Sequence, residues 1–86
     1  MEFYFTARFE RALEKLSIDE QLNTDKTLLL LGDNPHHPGL HVKKMEGAAN
    51  IWEARCSKSL RITFKIQGNF IVLRNVGQHD RVLKNP

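Results

Sequence analysis

The sequence predicts an α+β fold of order β-α-α-β-β-β, with an N-terminal helical hairpin packed on one face of a small antiparallel sheet. Three observations predict it. Residues 60–67, Leu-Arg-Ile-Thr-Phe-Lys-Ile-Gln, alternate apolar and polar side chains without a fault, the period of a strand with one buried face. Upstream, Ser17-Ile18-Asp19-Glu20 has the Ser-x-x-Glu pattern of a capping box, which starts a helix. From His41 onward the helical period gives way to alternation.

In chain order, Glu2 to Phe5 is short and aromatic and reads as an edge strand. Thr6 can cap a helix through Leu16, whose apolar residues Phe9, Leu13 and Leu16 recur at helical spacing. Ser17 then opens a second helix running to about Leu31. Gly32 stops it, with Pro35 and Pro38 close behind. His41 to Met45 and Ile51 to Cys56 are further strands. Leu60 to Gln67 turns at Gly68-Asn69 and returns as Phe70 to Val76.

With 86 residues, one domain spanning 1–86 is expected, burying about 60–65% of the unfolded chain's surface. Cys56 is the single cysteine, so no internal disulfide is expected. Leu28 to Leu31 falls far short of the roughly 20 apolar residues that cross a bilayer, and no charged-then-apolar leader is visible. The expectation is a cytoplasmic protein with no membrane partner. Net charge is +3, but unevenly spread: residues 1–40 hold four Lys/Arg and seven Asp/Glu, whereas 41–86 hold nine and three. A basic second half suits a polyanionic partner, although many small domains have one basic side.

Strand register sorts these charges. If Gly68-Asn69 is a two-residue turn, Gln67 pairs with Phe70, Lys65 with Val72, Thr63 with Arg74 and Arg61 with Val76, and opposed residues share a face. A three-residue loop at Ser57-Lys58-Ser59 sets Arg55 opposite Arg61, whereas a two-residue loop would put Ile62 and Phe64 among the charges. One face then carries Trp52, Ala54, Cys56, Leu60, Ile62, Phe64, Ile66, Ile71 and Leu73, the core side. The other carries Glu53, Arg55, Arg61, Thr63, Lys65 and Arg74, with Ile51, Val72 and Val76. Arg55 and Arg61 repel unless an anion or carboxylate lies between them; Glu53 or a phosphate backbone fits.

The end of the last strand delivers Gly77-Gln78-His79-Asp80 to the Arg55, Arg61 and Lys58 end of this face. Histidine can act as general acid or base, and arginines can hold a scissile phosphate. RNA supplies its own nucleophile in the 2′-OH, so such a site needs no metal, and no cofactor is expected. His79, Arg61, Arg55 and Asp80 are the candidate catalytic residues. Lys65, Arg74, Lys58, His41, Lys43 and Lys44 are candidates for binding RNA. The plain alternative for His79 is a surface residue in a C-terminal tail. His36 and His37 lie in a turn-rich loop; a zinc site from them with His41 and His79 lacks cysteine ligands and a recognised spacing.

The stretches Asn34-Pro-His-His-Pro-Gly-Leu40, Ile51-Trp-Glu-Ala-Arg55, Leu60-Arg-Ile-Thr-Phe64 and Leu73-Arg-Asn-Val-Gly-Gln-His-Asp80 resemble the RelE/ParE superfamily of type II toxin–antitoxin toxins. The resemblance covers nearly the whole chain and is nearest the RelE/YafQ-like branch. It implies a RelE-like fold and a ribosome-dependent mRNA endonuclease that inhibits translation. It also implies neutralisation by a cognate antitoxin, in a toxin–antitoxin hetero-oligomer. On this resemblance His79 matches the C-terminal catalytic histidine of YafQ-like members, where RelE has an arginine. Arg55 and Arg61 fall where such toxins place RNA-cleft residues. The chain departs from the pattern as well: Arg55 and Ser59 stand near two places where YafQ-like members have active-site histidine or aspartate, with His41 near a third. Asn85 stands about where RelE-like members have a C-terminal tyrosine. Two other readings belong beside this one: a ParE-like inhibitor of DNA gyrase, and a non-catalytic module that only engages an antitoxin.

Overall fold

A computed structural model describes residues 1–47 and 49–86. The chain enters through an edge strand, β1 (Glu2–Phe5), and Thr6 ends it by capping α1 (Ala7–Glu14). The Thr6 hydroxyl accepts from the Phe9 amide at 3.1 Å and donates to the Leu73 carbonyl at 2.7 Å. One side chain thus starts the helix and ties it to the sheet. The expected last turn, to Leu16, is tighter: the Lys15 and Leu16 amides donate back to Ala12 and Leu13.

The capping box opens α2 (Ile18–Asp33), with the Glu20 amide on Ser17 Oγ at 3.2 Å and the Ser17 amide on Glu20 Oε1 at 2.9 Å. The helix does not stop at Gly32. It continues to Asp33, and Asn34 leaves it in an extended conformation (φ −151°, ψ 102°), because the ring of Pro35 disfavours helical geometry in the residue before it. Gly32 has another use. A Cβ there would lie 3.1 Å from the Phe3 ring, so the glycine lets β1 approach α2.

A 3₁₀ turn (Pro38–Leu40) leads to β2 (Lys43–Lys44), β3 (Trp52–Arg55), β4 (Leu60–Gln67), β5 (Phe70–Gln78) and α3 (His79–Lys84). The strand expected over His41 to Met45 shrinks to two residues because His41 adopts a left-handed backbone (φ 47°), which a strand cannot contain. Sheet order among the described residues is β1-β5-β4-β3-β2. The predicted α+β class is the observed one, but the order β-α-α-β-β-β gains a further short strand, β2, and a C-terminal helix, α3, and β1 runs parallel to β5, so the sheet is mixed. The other neighbours are antiparallel. No tight turn joins β1 to β5, so nothing local forces their directions to oppose.

The β3–β4 register is the predicted one, with Arg55 opposite Arg61 and Trp52 opposite Phe64. Between β4 and β5 the prediction holds from Gln67–Phe70 to Phe64–Leu73, then fails by one residue. Phe64 pairs with Leu73 but Thr63 pairs with Asn75, so Arg74 is the extra residue of a β-bulge. Arg61 consequently opposes Gly77, not Val76. Without the bulge Val76 would sit among the charges; with it, Val76 is buried, in register with Ile62. The gain of burying a valine, about 1.5–3 kcal/mol, exceeds that of one ladder hydrogen bond, about 1 kcal/mol.

Phe9, Leu28 and Leu31 from the helices meet Ala54, Leu60, Ile62, Phe64, Ile71 and Leu73 from the sheet, with Trp52 and Cys56 partly buried against them. No helix among the described residues is long and apolar enough to cross a membrane.

Candidate nucleic-acid interface

The turn 57–59 gathers the predicted catalytic residues. From β4, Arg61 turns its Nη1 back onto the carbonyls of Ser57 (2.8 Å), Leu60 (3.1 Å) and Lys58 (3.3 Å). From β3, Arg55 Nε donates to the same Ser57 carbonyl at 3.3 Å. From the start of α3, the His79 amide donates to the Ser59 carbonyl at 2.6 Å. Three separated stretches therefore converge on one turn. The repulsion between Arg55 and Arg61 is relieved by main-chain oxygens, not by Glu53, which is buried and paired with Lys43 at 3.7 Å.

His79 is partly exposed, and its Nδ1 lies 3.3 Å from Asp80 Oδ1. That contact favours the tautomer with the proton on Nδ1 and leaves Nε2 able to accept one. Among the described residues, the side-chain ion pairs within 4.0 Å are Lys43–Glu53 and His79–Asp80. Arg8, Arg55 and Arg61 thus have no Asp or Glu partner there, the condition in which a guanidinium is available to phosphate.

The face is less open than the strand pattern suggested. The α3 helix folds back over it and buries Val82, which packs on Gly77: a Cβ on Gly77 would lie 3.3 Å from Val82 Cγ2. The segment after α3 continues across the sheet. Thr63 Oγ1 (3.1 Å) and Arg74 Nε (3.2 Å) donate to the Pro86 oxygen, and Asn75 Nδ2 donates to the Asn85 oxygen at 2.8 Å. Arg8 Nη2, reaching from α1, donates to that Asn85 oxygen too. Alternation could not reveal this cover, since six helical residues carry too little periodicity to be read. Arg8 and Asn75 were invisible as site residues for the same reason: their relevance depends on where the tail lands.

The remaining candidates spread around this centre. Lys58 is exposed in the turn, and Lys65 lies partly buried two residues beyond Thr63 on β4. Lys43 shares the face of Glu53, its register partner, whereas Lys44 opposes Trp52 and so leans to the other side. His41 is exposed beside the 3₁₀ turn, outside any strand. No group of three His, Cys, Asp or Glu side chains that could hold a metal occurs among the described residues. The Cys56 thiol is pushed up to about 11 by burial, opposed by hydrogen bonds with Thr27 and Thr24 and the charge of Arg61. It is a packed thiol, not a nucleophile.

No family model matches the sequence, and no curated protein matches it. Solved structures do match the fold. A copper-bound mutant toxin from Helicobacter pylori superposes with a TM-score of 0.79 at 14% identity, covering 95% of this chain and 98% of the other. YafQ from E. coli strain BL21(DE3) gives 0.79 at 9% identity, covering 94% and 96%. A chain of the RelB-RelE antitoxin-toxin complex from Methanococcus jannaschii gives 0.75 at 18% identity, covering 95% and 98%. At these identities the agreement is one of architecture over nearly the full length of both chains: the fold is that of the RelE/YafQ/ParE toxins.

Proposed function

We propose that this chain, with the fold of RelE-like toxins, is itself the toxin of a type II toxin–antitoxin system and cuts mRNA from its basic sheet face. The observation that carries the reading is the convergence of Arg55, Arg61, Lys58 and His79 on the 57–59 turn, with both guanidiniums free of carboxylates among the described residues. In the reaction, His79 Nε2 takes the proton of the RNA 2′-OH. The 2′ oxygen attacks the adjacent phosphorus, the bond to the 5′ oxygen breaks, and that oxygen leaves with a proton taken from solvent water. A 2′,3′-cyclic phosphate and a 5′-OH result. Arg61 and Arg55 hold the non-bridging oxygens as charge grows on them, and Asp80 orients the imidazole through Nδ1. Lys65, Arg74, Lys58, His41, Lys43 and Lys44 flank the path of the RNA. The RelB-RelE neighbours support an antitoxin partner, and the ribosome would present the mRNA in the cytoplasm.

The test is brief induction of the protein alone, followed by mapping of mRNA 5′ ends. Cuts within translated codons are expected, and His79→Ala or Arg61→Ala should lower cleavage by about 10²-fold or more and relieve growth arrest. If both variants remain fully toxic, the catalytic assignment is wrong. DNA damage with intact mRNA would instead identify a gyrase inhibitor. Absence of toxicity with retained antitoxin binding would identify a non-catalytic relic, which the engagement of Arg61 by three carbonyls favours as the second reading.

A further inference from the structure

Two aromatic side chains stand on the basic side of the sheet, away from α1 and α2. In β1 the alternate residues Phe3 and Phe5 turn towards those helices: a Cβ on Gly32 would meet the Phe3 ring at 3.1 Å, and the Phe5 ring lies 5.9 Å from that of Phe9. Tyr4 therefore faces the other way. Its register partner in β5 is Val72, and the next residue across, in β4, is Lys65. Phe70, two residues before Val72, shares that face between Glu2 and Gln67. Tyr4 is 59% exposed and Phe70 44%. Neither takes part in the aromatic pairs among the described residues, which are Phe3–Phe5 and Phe5–Phe9.

A single exposed apolar side chain needs no explanation; the position of this pair does. Tyr4 and Phe70 are diagonal neighbours across the β1–β5 ladder, about 7 Å apart, on the scale of one nucleotide in an extended single strand. Lys65 ends the row that Tyr4 begins, with no Asp or Glu partner within 4.0 Å among the described residues. Arg61, at the turn that gathers the candidate catalytic groups, lies four residues along β4 from Lys65, about 14 Å away. The α3 helix packs on Gly77, at the far end of β5 from Phe70, so its cover falls at the Arg61 end. Glu2, beside Phe70, disfavours phosphate there and suits that row to bases. An apolar pair alone would also fit a protein partner. The lysine, and continuity with the cationic turn, favour a polyanion that carries flat rings.

We propose that Tyr4 and Phe70 form a stacking platform for two consecutive bases of single-stranded RNA, with Lys65 holding the backbone between the platform and the cut. The inference deepens the RNA-binding reading above and rests on it. The platform makes no hydrogen bonds to base edges, so it fixes the path of the strand across the sheet more than its sequence. Purines, which stack over more area, are preferred.

Fluorescence anisotropy with a labelled, 2′-O-methylated hexa-adenylate, which cannot be cut, tests it beside a hexamer of the same backbone that lacks bases. Tyr4→Ile and Phe70→Ile keep strand-forming apolar side chains but remove the rings. Each is expected to weaken binding of the hexa-adenylate roughly five-fold or more, with the salt slope unchanged. Neither should alter binding of the base-free hexamer, and Tyr4→Phe should retain wild-type affinity. Lys65→Ala should weaken both oligomers and reduce the slope by about one. If both isoleucine variants leave the hexa-adenylate unaffected, or weaken the two oligomers equally, while Arg61→Ala weakens both, the platform is wrong and the RNA-binding face stands. If neither Arg61→Ala nor Lys65→Ala alters binding of either oligomer, the RNA-binding reading itself fails.

Discussion

Arg61 is held by the carbonyls it braces. Its Nη1 meets three main-chain oxygens of the 57–60 segment, a task that needs the directed donors of a guanidinium. Arg61→Lys keeps the charge but loses that geometry, and should destabilise the protein by about 1 kcal/mol, read as a fall in the denaturant midpoint. Cys56 offers a second test. Its thiol ionises only at about pH 11 in the fold but near its ordinary value of 9.0 when unfolded. Between those values the unfolded chain gives up the proton and the folded one keeps it. This contribution to stability is therefore intact below pH 9 and lost as pH climbs towards 11. Iodoacetamide at about pH 8, below the thiol's ordinary range, should leave the native protein unlabelled and modify it once urea unfolds it; rapid native labelling would contradict the packing.

At the scale of elements, the capping box makes α2 sensitive to acid. Glu20 is held below the usual carboxylate range by hydrogen bonds from Ser17, backbone first and side chain second, with a weaker one from Gln78. Its stabilising effect is present above the ordinary value of 4.5 and fades as pH falls below it. Ser17→Ala should lower Tm at neutral pH by about 4 °C or more, and the difference from wild type should narrow in acid. Gly77→Ala should act on α3, since the new methyl meets Val82 at 3.3 Å. Faster proteolysis within 79–86, with the sheet intact, is the expected result. These elements also show what the sequence could disclose. Both caps, the eight-residue strand and the three-residue turn were legible because each is settled by neighbours in the chain. The parallel placement of β1 and the fold-back of α3 were not, because each depends on a distant contact: Ile71 for Phe3, Gly77 for Val82. The end of α2 at Asp33 was open to a local reading, since Pro35 sets it.

For the whole molecule, the charge asymmetry of the sequence becomes a division of labour between the two sides of the sheet. Helices α1 and α2 shield the apolar side, while Arg55, Arg61, Lys65 and Arg74 belong to the other, partly under α3. The proposed association with RNA through that side should weaken linearly in log–log form with salt. Lys65→Ala should shallow the slope by about one without changing which sequences bind; an unchanged slope would remove Lys65 from the RNA path. The site was legible only in outline. Register brought His79 to the Arg55–Arg61 end correctly, but with Gly77 opposite Arg61 where Val76 was expected, and with a covered centre where an open one was expected.

The chain carries one residue more than its ladder needs. Because Thr63 already pairs with Asn75 and Phe64 with Leu73, removing Arg74 would close the gap without moving any later side chain to the wrong face. A single-residue deletion in the middle of a central strand, ordinarily ruinous to register, should here be absorbed, and should leave Tm at least as high as that of Arg74→Ala. The same arithmetic makes this the one point in β5 where length can vary cheaply, so that a gap aligned at 74 would leave the fold untouched and take only the guanidinium.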